Sequence, residues 1–470
     1  MRLVSIELVP ASGGREARAR RDDQQPGERA HENRCYVKLA LVGLSALAFA
    51  APAYAERIGP AVDDAALASA PDGTPSVAFV RDGATSVATR AASGWTTRQV
   101  YPAAARIAGL AVGRDGGADV LLEDPNNRWL TLITPQTITR IVKPGSKVGT
   151  LGPAGLALDA SGAPVVAYTA MRGRLQPKFG GIPTYLRLAR LQGTRLRTSA
   201  ITRRGFPQSY VPPAATPVLV DGRIHVVETY TSAAIEWQPK RRGGWIGQYL
   251  FASVFGSPVG PVAAVAAPGG AVWSAWTQDY PEFGETHVML NLRRDDETTT
   301  DLVKHGALVS LTLADGDPEV AANDWVDLSG ERDYAGLITN GGGNAVELDG
   351  RLVGYLSTPN GARQVLLVDP DGLEWYGLPS APSVHVVLTA MSDGRLSGRV
   401  EGAHGGNVEL YREQPGRARA LVATVALGAD GSFAAQDAAP TSPTLYRAVY
   451  RDPTSGAPCA ALTRSPIGTG

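Results

Sequence analysis

The segment Thr277-Gln-Asp-Tyr-Pro-Glu-Phe-Gly-Glu-Thr-His287 gathers three carboxylates and an imidazole around two aromatic rings. Carboxylate oxygens so spaced offer ligands to a hard cation, and a histidine beside them suits acid–base work. The spacing matches no compact calcium loop of the D-x-[DN]-x-[DN]-G kind, so no metal is expected and the segment reads as a ligand-binding loop. Its candidate contacts are Asp279, Tyr280, Glu282, Glu285 and His287. A second acidic group holds Asp324, Asp327, Glu331 and Asp333. Glycosidic hydrolysis uses paired carboxylates, one as acid and one as nucleophile or base. The run Glu331-Arg332-Asp333 is more simply a salt-bridged turn. Trp237 and Trp245 enclose a stretch with Lys240, Arg241 and Arg242. Exposed indole faces bind the C–H surfaces of sugars while arginines bind hydroxyls, which makes both tryptophans candidate ligand contacts. Packing between structural units is the plainer use for them. The long segment Met171–Tyr185 also mixes basic and aromatic residues, and long loops in compact scaffolds tend to carry function.

Other chemistry has no motif to stand on. The chain lacks a Gly-x-Ser-x-Gly elbow, His-Glu-x-x-His, Cys-x-x-Cys and any Gly-Lys phosphate loop. His225 alternates with Val226 and Val227, the pattern of a partly buried strand residue rather than a base. No residue is therefore assigned a catalytic role, and no cofactor is expected.

The elements that position these segments are strands. The chain has 54 glycines and 34 prolines among 470 residues, with 44% hydrophobic residues, the composition of a folded, turn-rich protein. A unit recurs along residues 60–380: an apolar strand, a tight glycine turn, then an alternating strand with valines and an aromatic. It reads Ala70-Pro-Asp-Gly-Thr-Pro-Ser-Val-Ala-Phe79, Asp159-Ala-Ser-Gly-Ala-Pro-Val-Val-Ala-Tyr168 and Ala267-Pro-Gly-Gly-Ala-Val-Trp-Ser-Ala-Trp276. Asp-Gly and Gly-Gly supply the positive φ that short hairpin turns need. A second hairpin follows each copy, as in Thr85–Arg90 with Gly94–Arg98, so each unit has four strands. The turn glycines stand at 73, 116, 162, 222, 270 and 350.

Four-stranded units at forty-odd residues are the output of a β-propeller, and here the chain resembles secreted bacterial β-propellers. The last gap is wide and Leu313-Ala-Asp-Gly-Asp-Pro-Glu-Val-Ala321 lies inside it. It suits either the outer hairpin of the fifth blade, with Asp295–His305 inserted, or a further blade. Six blades are favoured, with seven open and a two-sheet sandwich as the competing architecture. From Pro379-Ser-Ala-Pro382 the pattern changes to strands such as Asn407-Val-Glu-Leu-Tyr411 and Leu445-Tyr-Arg-Ala-Val-Tyr450. These resemble a bacterial immunoglobulin-like, or carboxypeptidase-regulatory-like, β-sandwich, a module that acts as a spacer or adhesive unit. The expected division is 56–380 propeller and 381–470 sandwich, each folding independently.

Residues 1–55 stand apart. An uncharged run from Leu39 ends Ala53-Tyr-Ala55, the small-residue pattern of a signal peptide cut before Glu56. Residues 1–36 precede the basic residue that should open it, so they read as a non-native extension, with translation expected from Val37. Cleavage removes Cys35 and leaves Cys459, so no intramolecular disulfide is expected. Lys plus Arg and Asp plus Glu number 45 each, a balance that excludes nucleic acid and anionic membranes as electrostatic partners. The mature chain is expected to be secreted or held at the cell surface, monomeric, and without a transmembrane segment. The first functional reading is a non-catalytic binding protein whose propeller faces a glycan or a cell-surface protein. The alternative is a glycan-active hydrolase or lyase that uses loop carboxylates.

Overall fold

The computed structural model describes residues 54–464 apart from 61, 125–128, 144–147, 151, 173–183, 203–212, 231–232, 253–255, 281–284, 294–297, 305, 329–330, 341–344, 359–360, 370–371, 379–383, 392, 404, 415–418, 439–443, 452 and 454–457. Glu282, most of Met171–Tyr185, the boundary Pro379–Pro382 and the apolar run up to Ala53 lie outside the described residues. So does the extension 1–36.

Among the described residues, seven sheets surround one channel. The inner strands that wall it are Asp64–Ser69, Arg106–Val112, Gly155–Leu158, Ala215–Val220, Ser257–Ala266, Gly306–Ala314 and Arg351–Ser357. Each starts a blade that continues outward through antiparallel neighbours, so the chain is an all-β propeller with seven blades. The preference for six is corrected, and the reason is local. Gly73, Gly116, Gly162, Gly222 and Gly270 each follow the inner strand of their blade, so the strand Gly306–Ala314 upstream of Gly316 belongs to the sixth blade. Gly350 precedes the seventh inner strand instead of following it. Asp315 and Gly316 take φ of 54° and 93° to turn it into Asp317–Leu328. The expected insertion contains Thr298–Lys304, the outer strand of the fifth blade.

The second strand of each blade has neighbours on both faces, which is why these strands are apolar without a break. In Ala118–Asp124, Val120 and Leu122 pack with Ala78, Val80 and Val87 of the first blade. Leu121, on the other face, packs with Val166 and Tyr168 of the third. Each such side chain contributes roughly 1.5–3 kcal/mol of transfer free energy, and adjacent blades share it. The ring closes tightly: a Cβ on Gly354 of the seventh inner strand would come 2.4 Å from the Cβ of Leu67 in the first.

The seventh sheet is completed by the chain's own start. Tyr54–Gly59 pairs antiparallel with Gly372–Leu378, so Tyr54 and Ala55 belong to the propeller, two residues ahead of the expected boundary. Glu56 then binds Arg90 of the first blade at 2.7 Å, and the Arg90 guanidinium lies 4.8 Å over the Trp375 ring. A chain starting at Pro60 loses this pairing together with the Glu56–Arg90 contact. It should unfold at lower denaturant, by about 3–5 kcal/mol, whereas one starting at Glu56 keeps most of the clasp. Equal midpoints for the two chains would show that the clasp does not hold the ring shut.

After the seventh blade, seven strands form two sheets. One holds His385–Ala390, Arg395–Glu401 and Ser432–Gln436. The other runs Ala420–Ala426, Asn407–Glu413, Leu445–Arg451, Pro458–Arg464, and joins the sixth blade's outer strand Ala345–Asp349 through a Leu348–Cys459 pairing. Val408 and Leu410 point inward while Glu409 and Arg412 stay partly exposed, as their alternation implies. The expected separation from the propeller is not what this seam looks like. Leu348, Leu352, Tyr355 and Tyr376 of the last two blades share one core with Val386, Leu388, Tyr446 and Tyr450. Asp349 binds Arg447 at 3.0 Å and Arg419 at 3.1 Å, and Glu413 binds Arg447 at 2.7 Å.

Candidate functional site

Inner strands begin, and second strands finish, at what we call the upper end of the propeller. Three ionisable side chains from the first two blades meet there. Asp64 opens the first inner strand, Arg106 opens the second, and Glu123 lies opposite Arg106 in register. Arg106 Nη1 stands 3.2 Å from Glu123 Oε1, whose side chain is only 4% exposed. The Ala154 N–H of the third blade donates to Glu123 Oε2 at 3.3 Å, and the Ile107 N–H donates to Asp64 Oδ2 at 2.7 Å.

Burial pushes both carboxyls above the ordinary carboxylate range. At Glu123 the Arg106 charge and the Ala154 N–H pull back against it, while the Asp64 charge adds to the push. At Asp64 the Ile107 N–H opposes burial most, followed by Arg106, with Arg351 further off. The outcome is two desolvated acids within the field of one cation, which is ion-paired to Glu123. They border a cavity of about 530 Å³ lined also by Asp63, Ala104, Ala105 and Asp124. Asp64 and Arg106 also line the central channel, a cavity of about 490 Å³ otherwise walled mostly by small and aliphatic residues, with Tyr355 among them.

The same kind of latch between blades occurs elsewhere without charge. The Leu308 N–H donates to Thr277 Oγ1 at 2.9 Å. Asn323 accepts from the Leu352 N–H at 2.7 Å and donates to the Leu352 carbonyl at 2.8 Å. A neutral acceptor thus suffices to join blades, at no cost of desolvating an ion. A charged latch does occur between the sixth and seventh blades, where Glu319 binds Arg363 at 3.1 Å, but Asp64, Arg106 and Glu123 in addition line an open cavity.

The candidates named from sequence lie elsewhere. Asp279 and Tyr280 end the strand Val272–Tyr280, and Glu285 and His287 begin Glu285–Arg293, so these four residues of the expected loop lie on paired strands. His287 is 9% exposed and its ring meets that of Tyr280 edge-on at 4.9 Å. These strand ends are also at the upper end, but among the described residues Asp279, Tyr280, Glu285 and His287 do not line the channel or the adjoining cavity. Asp324–Asp333 is not a loop either: Asp327 pairs with Arg332 and Val326 with Asp333 in a long hairpin. Trp237 and Trp245 sit on Ala233–Pro239 and Trp245–Ala252 and pack on the core shared by the third and fourth blades. Gly247 lets the Trp237 ring lie flat, since a Cβ there would come 2.9 Å from it. His225 Nδ1 is 2.7 Å from Glu236 Oε1 inside the fourth blade.

Trp237 Nε1 donates to Glu228 Oε2 at 3.0 Å, and burial pushes this Glu228 carboxyl up to about 7. The folded chain therefore holds that proton more tightly than the unfolded one. Its contribution to stability is full below the ordinary glutamate range and is lost as pH rises through about 7, on the order of 3 kcal/mol. Glu228→Gln should keep the acceptor for Trp237 and flatten the fall between pH 5 and 8. Urea midpoints at both pH values check this, and an equal fall in variant and parent would refute it.

Neither Asp64, Arg106 nor Glu123 stood out in the sequence. The signal available was a charged pair, Glu123-Asp124, closing a strand that is otherwise largely apolar, and a second acidic pair, Asp63-Asp64, opening another.

No protein-family model matches the chain. No curated protein matches it. Solved structures do share the fold. An α-L-arabinanase from Penicillium chrysogenum complexed with arabinobiose aligns at 11% identity and TM-score 0.38, over 69% of this chain and 94% of its own. A microbial sialidase aligns at 11% and 0.34, over 72% and 73%. The β-propeller domain of the trilobed protease from Pyrococcus furiosus aligns at 8% and 0.40, over 68% and 97%. The neighbours are mostly enzymes, glycoside hydrolases among them. The first functional reading, a non-catalytic binding protein, is corrected on that finding. At these identities the likeness concerns fold alone, and a reaction has to be argued from the residues.

Proposed function

We propose that this chain is a hydrolase of glycosidic bonds, with Asp64 and Glu123 as its acid–base pair. The observation that carries the reading is the pair itself: two carboxyls, both raised by burial, lining one cavity with Arg106 beside the channel. Cleavage of an acetal needs one protonated carboxyl to give a proton to the leaving oxygen and one ionised carboxylate to activate water or attack the sugar carbon. Desolvation keeps a proton in the pair at a pH where free carboxyls have lost theirs, and Arg106 favours ionisation of the partner. The two titrate as a pair, so rate should fall on both sides of an optimum set by their shared protons. The open cavity next to Arg106 leaves room for a sugar ring, and the guanidinium can donate to its hydroxyls.

The same reading takes the protein as exported and its substrate as a glycan outside the cell. Support for export is the run from Leu39 closed by Ala53-Tyr-Ala55. The immunoglobulin-like reading of the C-terminal sheets fits an accessory role there, with no part in the chemistry. Reducing-sugar release from a panel of polysaccharides, with 4-nitrophenyl pentosides and hexosides beside it, tests the proposal. Turnover that Asp64→Asn removes supports it. No turnover on any substrate, or turnover unchanged in Asp64→Asn, counts against it.

A further inference from the structure

The strand Ala118–Asp124 has a second acid at its other end. Asp119, Leu121 and Glu123 alternate along one side, the side turned to the third blade, where Leu121 packs and Glu123 is latched. Asp119 stands at the lower end of that side. It is 7% exposed, and among the described residues no donor or cation meets its carboxyl. Burial, with the Asp115 charge second, pushes that carboxyl up to about 6. Glu123, equally buried, has an arginine and an N–H.

Asp119 faces a cavity of about 350 Å³ between the second and third blades. The turns Gly113–Gly117 and Gly162–Pro164 border it, with Asp115, Thr134, Thr137 and Thr194. Among the described residues no Lys, Arg or His lines it. Asp115 Oδ1 accepts the Gly117 N–H at 3.0 Å, which holds this second carboxylate at the rim. A buried carboxylate left alone is a standing cost to the fold, and a cation removes it. Carboxylate, hydroxyl and carbonyl oxygens are the donors a hard divalent ion takes, and the volume admits an ion that keeps several waters. We propose that this cavity is a calcium site, with Asp119 as its buried ligand and Asp115 as the second carboxylate. It lies at the opposite end of the propeller from Asp64 and Glu123 and does not depend on their chemistry.

Equilibrium dialysis of the full chain against radioactive calcium tests it. One ion per chain should bind, with Kd of about 10⁻⁴–10⁻³ M, the range of accessible oxygen sites. Asp119→Asn should weaken binding at least tenfold. In chelator that variant should melt no lower than the parent, because it removes a buried charge. Calcium should raise the Tm of the parent and leave that of the variant in place. Asp115→Asn, at an exposed turn that tolerates substitution, should weaken binding as well. No bound calcium at about 10 mM, or binding in both variants equal to the parent, would overturn the site.

Discussion

Glu123→Gln should lower hydrolysis by roughly 10²–10⁴-fold and leave the propeller folded, the loss typical of removing a general acid or base. The amide keeps an oxygen for the Ala154 N–H, so the latch to the third blade survives. What it cannot do is exchange a proton, or carry the charge that meets Arg106 at 3.2 Å. The loss should fall on kcat more than on KM, since proton transfer belongs to the transition state and substrate contacts largely remain. Circular dichroism and the urea midpoint separate this from unfolding. The control comes from the neutral latches: Asn323→Ala removes two hydrogen bonds to Leu352 and should cost about 1–3 kcal/mol of stability while leaving kcat unmoved. If Glu123→Gln is as active as the parent, Glu123 is a structural latch like Asn323 and the proposed chemistry fails.

The second large effect is at the seam. Calorimetry on the full chain should show one main transition, and a chain ending at Leu378 should lose stability or aggregate. Such a chain leaves Leu348, Tyr376 and Leu378, each no more than 1% exposed, facing water. It also strips Asp349 of both arginines. Three large side chains at roughly 1.5–3 kcal/mol each approach the whole stability of a typical domain. Tyr446→Asp is the single-residue form of the same experiment. Tyr446 is fully buried and its hydroxyl donates to Asp437 Oδ2 at 2.8 Å, so the variant sets a second carboxylate near the first. A cost of several kcal/mol should lower the one transition as a whole. Two well-separated transitions, only the smaller one moved, would restore the two independently folding units expected from the sequence.

Local physics settled much of this protein before any fold was seen. Turn glycines at 73, 116, 162, 222 and 270 all take positive φ, because a hairpin turn asks for that of its own residues and nothing else, whereas Gly350 links the outer strand of one blade to the inner strand of the next. Beyond Pro382 the strands expected at Asn407 and Leu445 begin at those residues, and His385–Ala390 alternates cleanly between a buried and an exposed face. Blade number was the nearest miss: the sequence carried the sixth inner-strand turn at Asp315-Gly316 and the seventh at Gly361, but Gly350, which links two blades, was counted in their place. The site was a different matter. Asp279, Glu282, Glu285 and His287 drew attention because they are neighbours in sequence, whereas Asp64, Arg106 and Glu123 become neighbours only when the blades pack side by side. Their raised carboxyls are not a property of aspartate or glutamate at those positions but of the water that the third blade and the channel wall exclude. The core joining Leu348 and Tyr376 to Tyr446 is of the same kind, as strand alternation says which side chains seek burial and not which surface will bury them. Period and turn chemistry are fixed by bonds a few residues apart, while proximity and desolvation are set by contacts between strands tens to hundreds of residues apart, and those exist only once the ring has closed.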